Sequence, residues 1–207
     1  MTERFRLYGL ASWLMIGMAI GIAMYVTSNV AYTADNQATL THAWDRSHPL
    51  IPQSASSTQT TGVGVAPVVA FQHPRVAYGQ PMAKIQVPSI NWTGIVLEGS
   101  ELNVLAGGPG HVVTSAYPGE DGNVVISNHN SFSLAWGNVK VGDPIILQTD
   151  YGTYTYRVTG FKIVEADDRV VTSLGNGQPT LTFTTCYPLY AGALAHQRYA
   201  VFADLVQ

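Results

Sequence analysis

A single thiol, Cys186, closes the run Thr180-Leu181-Thr182-Phe183-Thr184-Thr185-Cys186, and Arg198 opens the next such run, Arg198-Tyr199-Ala200-Val201-Phe202-Ala203. A thiol near its unperturbed pKa of about 8.5 is mostly protonated at neutral pH. It becomes a nucleophile when a base takes its proton or a cation favours the thiolate. A guanidinium brings charge and several donors, which suits it to hold an oxyanion. Of the six histidines, His129 is the leading base candidate. It follows the apolar strand Val124-Val125-Ile126-Ser127 as Cys186 follows its own. A strand end held by a rigid sheet fixes the position of the side chain it carries. His111 and His196 stay open as alternatives, whereas His42, His48 and His73 lie in or beside a low-complexity stretch and are poorer candidates.

Plainer readings compete with each of these. A lone cysteine is as often a small buried hydrophobe, a lone histidine a surface residue, and a strand-edge arginine a solvated charge. Metal chemistry lacks its ligands, because the chain has neither Cys-x-x-Cys nor His-Glu-x-x-His,. Glu165, Asp167 and Asp168 offer oxygen ligands for calcium but without the EF-hand spacing, and a solvated loop is the simpler reading,. No metal and no cofactor are expected.

The elements that must position these groups are short strands. Runs with β character cover Ala83 to Val87, Gly94 to Leu97, Asn123 to Ser127, Pro144 to Thr149, Gly152 to Glu165, Thr180 to Thr185 and Tyr199 to Val206. Pro118-Gly119, Asp121-Gly122, Gly142-Asp143 and Gly175-Asn176-Gly177 punctuate them, and Asp150-Tyr151-Gly152 reads as a hairpin turn,. Closely spaced strands with punctuated turns predict a sandwich or barrel. Helical turns are expected near Ser100 to Leu105 and Ser131 to Trp136. Along the run that ends at the thiol, Thr182, Thr184 and Cys186 share one face, and Leu181, Phe183 and Thr185 the other,. An antiparallel neighbour beginning at Arg198 then brings the cation close to the sulfur, provided the connecting loop is compact.

Charged residues make up 11% of the 207 and the net charge is −3, so the basic patch of a nucleic-acid binder is missing,. Leu7 to Val26 is an uncharged stretch of about twenty residues, enough to cross a bilayer as a helix,. Arg4 and Arg6 precede it, and Asp35 is the first charge beyond it. The positive-inside bias predicts a cytoplasmic N-terminus and a single-pass anchor in the cell membrane, with the rest of the chain extracytoplasmic. No small-x-small cleavage site follows, which favours an uncleaved anchor over a signal peptide,. The expected organisation is a cytoplasmic start and transmembrane anchor over residues 1–30, an extracytoplasmic linker or stalk over 31–74, and a catalytic β-domain over 75–207. Within the linker, residues 31–52 are expected to continue the helix briefly until Pro49 and Pro52 stop it,, and the Ser/Thr/Gly/Gln-rich composition of 53–70 carries the stalk reading,.

Four stretches together resemble the sortases, the membrane-anchored cysteine transpeptidases of bacteria. Leu105-Ala106-Gly107-Gly108-Pro109-Gly110-His111 is similar to the family's Gly-Pro-Gly-His segment. Pro118 to His129 resembles the segment that ends in the family's histidine, and Thr182-Phe183-Thr184-Thr185-Cys186 its Thr-Leu-x-Thr-Cys signature. Arg198 to Ala203 resembles the strand with its arginine. Phe183 stands where leucine is usual, and Asn128-His129-Asn130 where many members have Gly-His-Arg. Cys186-Tyr187-Pro188 is similar to the short members called class D. An Asp-Pro-aromatic lid is absent before the domain, which argues against the pilin-polymerising members.

The resemblance implies a closed eight-stranded β-barrel with short helices after an N-terminal transmembrane helix. It implies Cys186 as nucleophile, His129 as general acid and base, Arg198 as stabiliser of oxyanion or substrate, and Thr184 and Thr185 as substrate contacts. The implied partners are surface proteins with a Leu-Pro-x-Thr-Gly-like C-terminal sorting motif and an amine acceptor, which resolves a thioester acyl-enzyme. A plain cysteine peptidase, or an anchored non-catalytic domain binding peptides or wall polymers, are the rival functions.

Overall fold

Alternation along the strands decides the architecture. The computed structural model describes residues 2–48, 75–171 and 177–206. Eight strands occupy Pro81–Val87 (β1), Trp92–Glu98 (β2), Gly110–His111 (β3), Asn123–Asn128 (β4), Pro144–Thr149 (β5), Gly152–Glu165 (β6), Thr180–Tyr187 (β7) and Gln197–Leu205 (β8). They close into a barrel in the order β1-β2-β3-β4-β7-β8-β6-β5. Closure leaves no open edge for pairing with another chain. Two contacts are parallel, β2 with β3 and β4 with β7, and the other neighbours are antiparallel.

Inward positions fill the barrel. Val124 and Ile126 of β4, Leu181 and Phe183 of β7, and Val201 and Ala203 of β8 belong to one buried cluster. Phe183 stacks on Trp136, with ring centroids 3.4 Å apart and planes 3° from parallel. Trp92 meets both rings edge-on. The departure from leucine at 183 is therefore a packing choice, since the larger ring completes an aromatic layer under the end of β7.

Seven of the strands lie where the sequence places β-patterned runs, with ends shifted by up to two residues. The eighth, β3, is two residues long and too short to leave a period. The expected hairpin at Asp150 is held by Thr149, whose hydroxyl donates to the Gly152 carbonyl at 2.9 Å and accepts from the Gly152 N–H at 3.1 Å. Of the two expected helical turns, the first is α2 over Leu102–Leu105, and the second divides into 3-10 turns at Asn130–Phe132 and Leu134–Asn138.

The N-terminal helix runs unbroken over Thr2–Ser47 (α1), through residues 31–47 and up to the prolines expected to stop it. The Ser/Thr/Gly-rich run 53–70 lies outside the described residues. From Thr33 onward α1 is attached to the barrel. Thr33 Oγ1 donates to the Ala106 carbonyl at 2.9 Å, and Asn36 Nδ2 to that of Gly107 at 2.9 Å. Gln37 is buried. Its Oε1 accepts the Ile95 N–H at 2.6 Å, while its Nε2 donates to the carbonyls of Gly107 at 2.8 Å and Ile95 at 3.2 Å. Trp44 is buried against Ile95, Leu97 and Val104. Lys84 pairs with Asp45 at 2.6 Å and His48 with Asp150 at 2.5 Å. Gly108 makes this docking feasible, because its φ of +146° disfavours a side chain and a Cβ there would overlap the Gln37 carboxamide,.

Candidate active site

Register brings the sulfur and the guanidinium together. In the β7–β8 ladder Cys186 stands directly opposite Arg198. Directly paired side chains on adjacent antiparallel strands have Cβ atoms about 4.5–5.5 Å apart and share a face. Both residues are half-buried. Arg198 donates from one terminal nitrogen to the Gln197 carbonyl at 3.0 Å, which leaves its remaining N–H donors for the cleft,.

The parallel β4–β7 pairing runs from Asn123 opposite Thr180 to Asn128 opposite Thr185. His129 follows with an extended backbone, φ −72° and ψ 143°. Continuing the register by one residue carries it to the level of Cys186, on the same outer face. Burial disfavours the imidazolium and holds the pKa of His129 below its ordinary value,. A neutral imidazole has a free lone pair to take a thiol proton.

The asparagines flanking His129 have structural work that the sequence did not announce. Asn128 Oδ1 accepts the His129 N–H at 2.9 Å. Buried Asn130 donates to the carbonyls of Gly192 at 3.2 Å and Pro188 at 3.4 Å, which ties the His129 turn to the β7–β8 loop,. Ser133 Oγ donates to the His129 carbonyl at 2.8 Å. The only sequence signal for these partners was the Asn-His-Asn departure itself, a polar pair around a strand-end histidine.

The other histidines lie elsewhere. His111 is fully buried. Its Nδ1 is 3.0 Å from Glu98 Oε2, and its Nε2 lies 3.0 Å from the Ala116 carbonyl and 2.9 Å from Ser115 Oγ. With both ring nitrogens engaged, at the far end of β3, it braces the barrel and has no nitrogen to offer a substrate. His196 is exposed just before β8, His42 is exposed on α1, and His73 lies outside the described residues. Two acidic calcium-ligand candidates are committed locally. Glu165 accepts from Gln197 at 2.9 Å, and Asp168 caps the Val170 N–H at 2.9 Å.

Thr184 shares the outer face with Cys186, and Thr185 turns inward above Phe183. Both hydroxyls are buried without a hydrogen-bond partner, as is the amide nitrogen of Asn128. Farther along the outer face opens a groove of about 570 Å³ lined by Asn123, Gln178, Thr180, Thr182, Phe202 and Asp204. Thr182 is four residues before Cys186, about 13 Å at the rise of a strand. An extended peptide laid along β7 spans from this groove to the sulfur with four or five residues.

Comparison with known proteins bears directly on this arrangement. The sortase-domain family model matches residues 85–206, more than half of the chain. This protein belongs to the sortase family. It is 32% identical over 156 residues to sortase D of Bacillus subtilis (strain 168), which covers 75% of this chain and 77% of the relative. Among solved structures, a sortase D5 transpeptidase of Clostridium perfringens superposes with a TM-score of 0.59 at 28% identity, covering 64% of this chain and 83% of the other. Sortase A of Corynebacterium diphtheriae gives 0.57 at 27% identity, covering 62% and 61%. A sortase C of Clostridium perfringens, solved with the C-terminal cell wall sorting motif, gives 0.58 at 24% identity, covering 63% and 73%. That last likeness speaks to the fold. The barrel carries short helices, and among the described residues one helix that precedes it is long and apolar enough to cross a membrane.

Proposed function

We propose that this sortase is a cysteine transpeptidase acting on a Leu-Pro-x-Thr-Gly-like C-terminal sorting motif, with Cys186 as nucleophile, His129 as acid and base, and Arg198 as oxyanion or substrate stabiliser. The observation that carries the reading is the cross-strand pairing of Cys186 with Arg198 beside the parallel β4–β7 register that leads to His129. Membership of the sortase family, shown by the match over residues 85–206, supports the substrate class.

In the first half-reaction the sulfur attacks the threonine carbonyl carbon and the thiol proton passes to His129. The resulting oxyanion takes hydrogen bonds from Arg198. The carbon–nitrogen bond then breaks, the leaving amine takes the proton from His129, and a thioester remains on Cys186. In the second half the acceptor amine attacks the thioester. His129 takes its proton and returns it to the departing thiolate. Thr184 and Thr185, whose buried hydroxyls lie beside the sulfur without a partner, are the proposed contacts to the motif. A groove along β7 accommodates the motif's upstream residues in extended form. Anchoring by the N-terminal helix, with the barrel extracytoplasmic, raises the effective concentration of substrates held at the same membrane.

The test is intact-mass analysis of the full chain with a sorting-motif peptide, with and without an amine. A peptide adduct on Cys186 that the amine converts to an amide product is the expected result. Motif cleavage that survives Cys186→Ala would sink the assignment, and cleavage that yields acid alone even with amine present would favour the peptidase.

A further inference from the structure

The path of α1 across the barrel fixes which end of the molecule faces the membrane. Residues 12–28 of α1 are exposed throughout, as a lipid-facing span requires, and the apolar run ends at Val26. Attachment begins only seven residues later at Thr33, about 10 Å at helical rise,. From there the contacts descend the barrel. Gln37 meets Ile95, at the middle of β2. Trp44 packs on Ile95 and Leu97. His48 reaches Asp150 in the β5–β6 turn.

That turn lies at the end of the barrel away from the sulfur. Along β6 and β8, Tyr156 pairs with Leu205 toward the Asp150 end, and Glu165 pairs with Gln197 at the Cys186 end. The span therefore leaves the barrel on the Cys186 side. In agreement, α1 also lies against the Asn130–Phe132 turn that directly follows His129.

The same rim exposes large apolar side chains. Tyr190 is 87% and Leu194 84% exposed in the β7–β8 loop, and Leu134 is 56% exposed in the neighbouring 3-10 turn. Asn130 bonds that loop to the turn touched by α1, so the loop and the helix are parts of one body. We propose that the Tyr190–Leu194 loop and Leu134 form a membrane-contacting surface, with the Cys186 cleft opening toward the outer leaflet of the bilayer. The argument for lipid as the occupant is continuity, because the β7–β8 loop is bonded to the turn against which the transmembrane helix lies. A separation of about 10 Å exceeds the headgroup layer, about 5–8 Å thick on each side, by only a few Å, so side chains projecting from this rim reach it. Tyrosine and leucine side chains are suited to that layer, one end apolar and the other wet in the case of tyrosine. The inference rests on the anchor reading of α1 and not on the chemistry.

The experiment uses full-length protein carrying Cys186→Ala in phosphatidylcholine–phosphatidylglycerol vesicles. Nitroxide labels are placed one at a time through Leu194→Cys, Tyr190→Cys, Ile20→Cys and Leu102→Cys, and their accessibility to oxygen and to a water-soluble nickel chelate is compared. Leu102 is 77% exposed on α2, which follows the far end of β2, and serves as the aqueous reference. The expected result is an oxygen-to-nickel ratio at 190 and 194 several-fold above that at 102 and approaching that at 20. Ratios at 190 and 194 equal to that at 102, with 20 in lipid, overturn the orientation and leave the anchor standing. An aqueous label at 20 overturns both.

Discussion

Cys186 and Arg198 owe their relation to a ladder position, so single substitutions at this scale separate chemistry from folding. In the proposed mechanism Arg198→Ala removes the oxyanion donors while leaving the strand intact, and kcat/KM for motif transfer should fall by about 10²–10³. Arg198→Lys restores the charge without the planar fork and should recover only part of that loss. Wild-type rates from Arg198→Lys would mean that charge alone suffices.

Burial of His129 has a pH consequence whose sign is fixed. Its folded pKa is lowered by desolvation, so the unfolded chain takes the proton first as pH falls below about 6.5,. Folding stability contributed by His129 is thus present at neutral pH and decays from about 6.5 down through the lowered folded value. The acid limb of kcat/KM should lie below the ordinary imidazole range. Pre-steady-state rates and melting curves across pH 4–8 test both, and a limb at or above the ordinary range would contradict the desolvated environment.

At the scale of elements, two packing decisions hold the site. The Phe183–Trp136 stack supports the end of β7 from inside the barrel. Phe183→Ala should cost about 3–5 kcal/mol by cavity formation, whereas Phe183→Leu, the residue usual in the family resemblance, should cost about 1–2 kcal/mol. Chemical denaturation measures both. Asn130 acts at longer reach, because its amide ties the His129 turn to the β7–β8 loop. Asn130→Ala leaves two carbonyls without that donor and frees the loop. We expect a rise in KM with a smaller change in kcat, and a change confined to kcat would point instead to His129 placement.

For the molecule as a whole, the helix–barrel junction converts an expected tether into a mount. Gln37→Ala strands the Ile95 N–H in a buried site, which costs about 1–3 kcal/mol,. Gly108→Val is worse, since it meets both the positive φ and the Gln37 side chain. A chain beginning at residue 75 lacks Trp44 and should melt lower than the full protein, with Ile95 and Leu97 losing their cover. Equal melting temperatures would show that the docked helix contributes nothing to barrel stability.

Much of the candidate site was legible in one dimension because strand ends announce themselves. Period-two runs stop at Asn128 and Cys186, and the residue types at those stops are scarce enough to stand out: one thiol and a few histidines in the chain. The β-domain and the apolar N-terminal span are likewise local properties, set by side-chain alternation and by an uncharged run. Three-dimensional pairing decided what local pattern cannot carry. Whether β7 lies beside β4 in parallel, and which residue of β8 faces Cys186, depends on registers between segments more than fifty residues apart or across a loop. The exclusion of His111 came from its partners, Glu98 and the Ala116 carbonyl, which no spacing reveals. Docking of α1 was hidden for the same reason. Gln37 reads as an ordinary polar helix residue until the backbone of β2 and the Cβ-free Gly108 close around it, and hydrogen bonds between distant segments leave no period in the sequence that makes them.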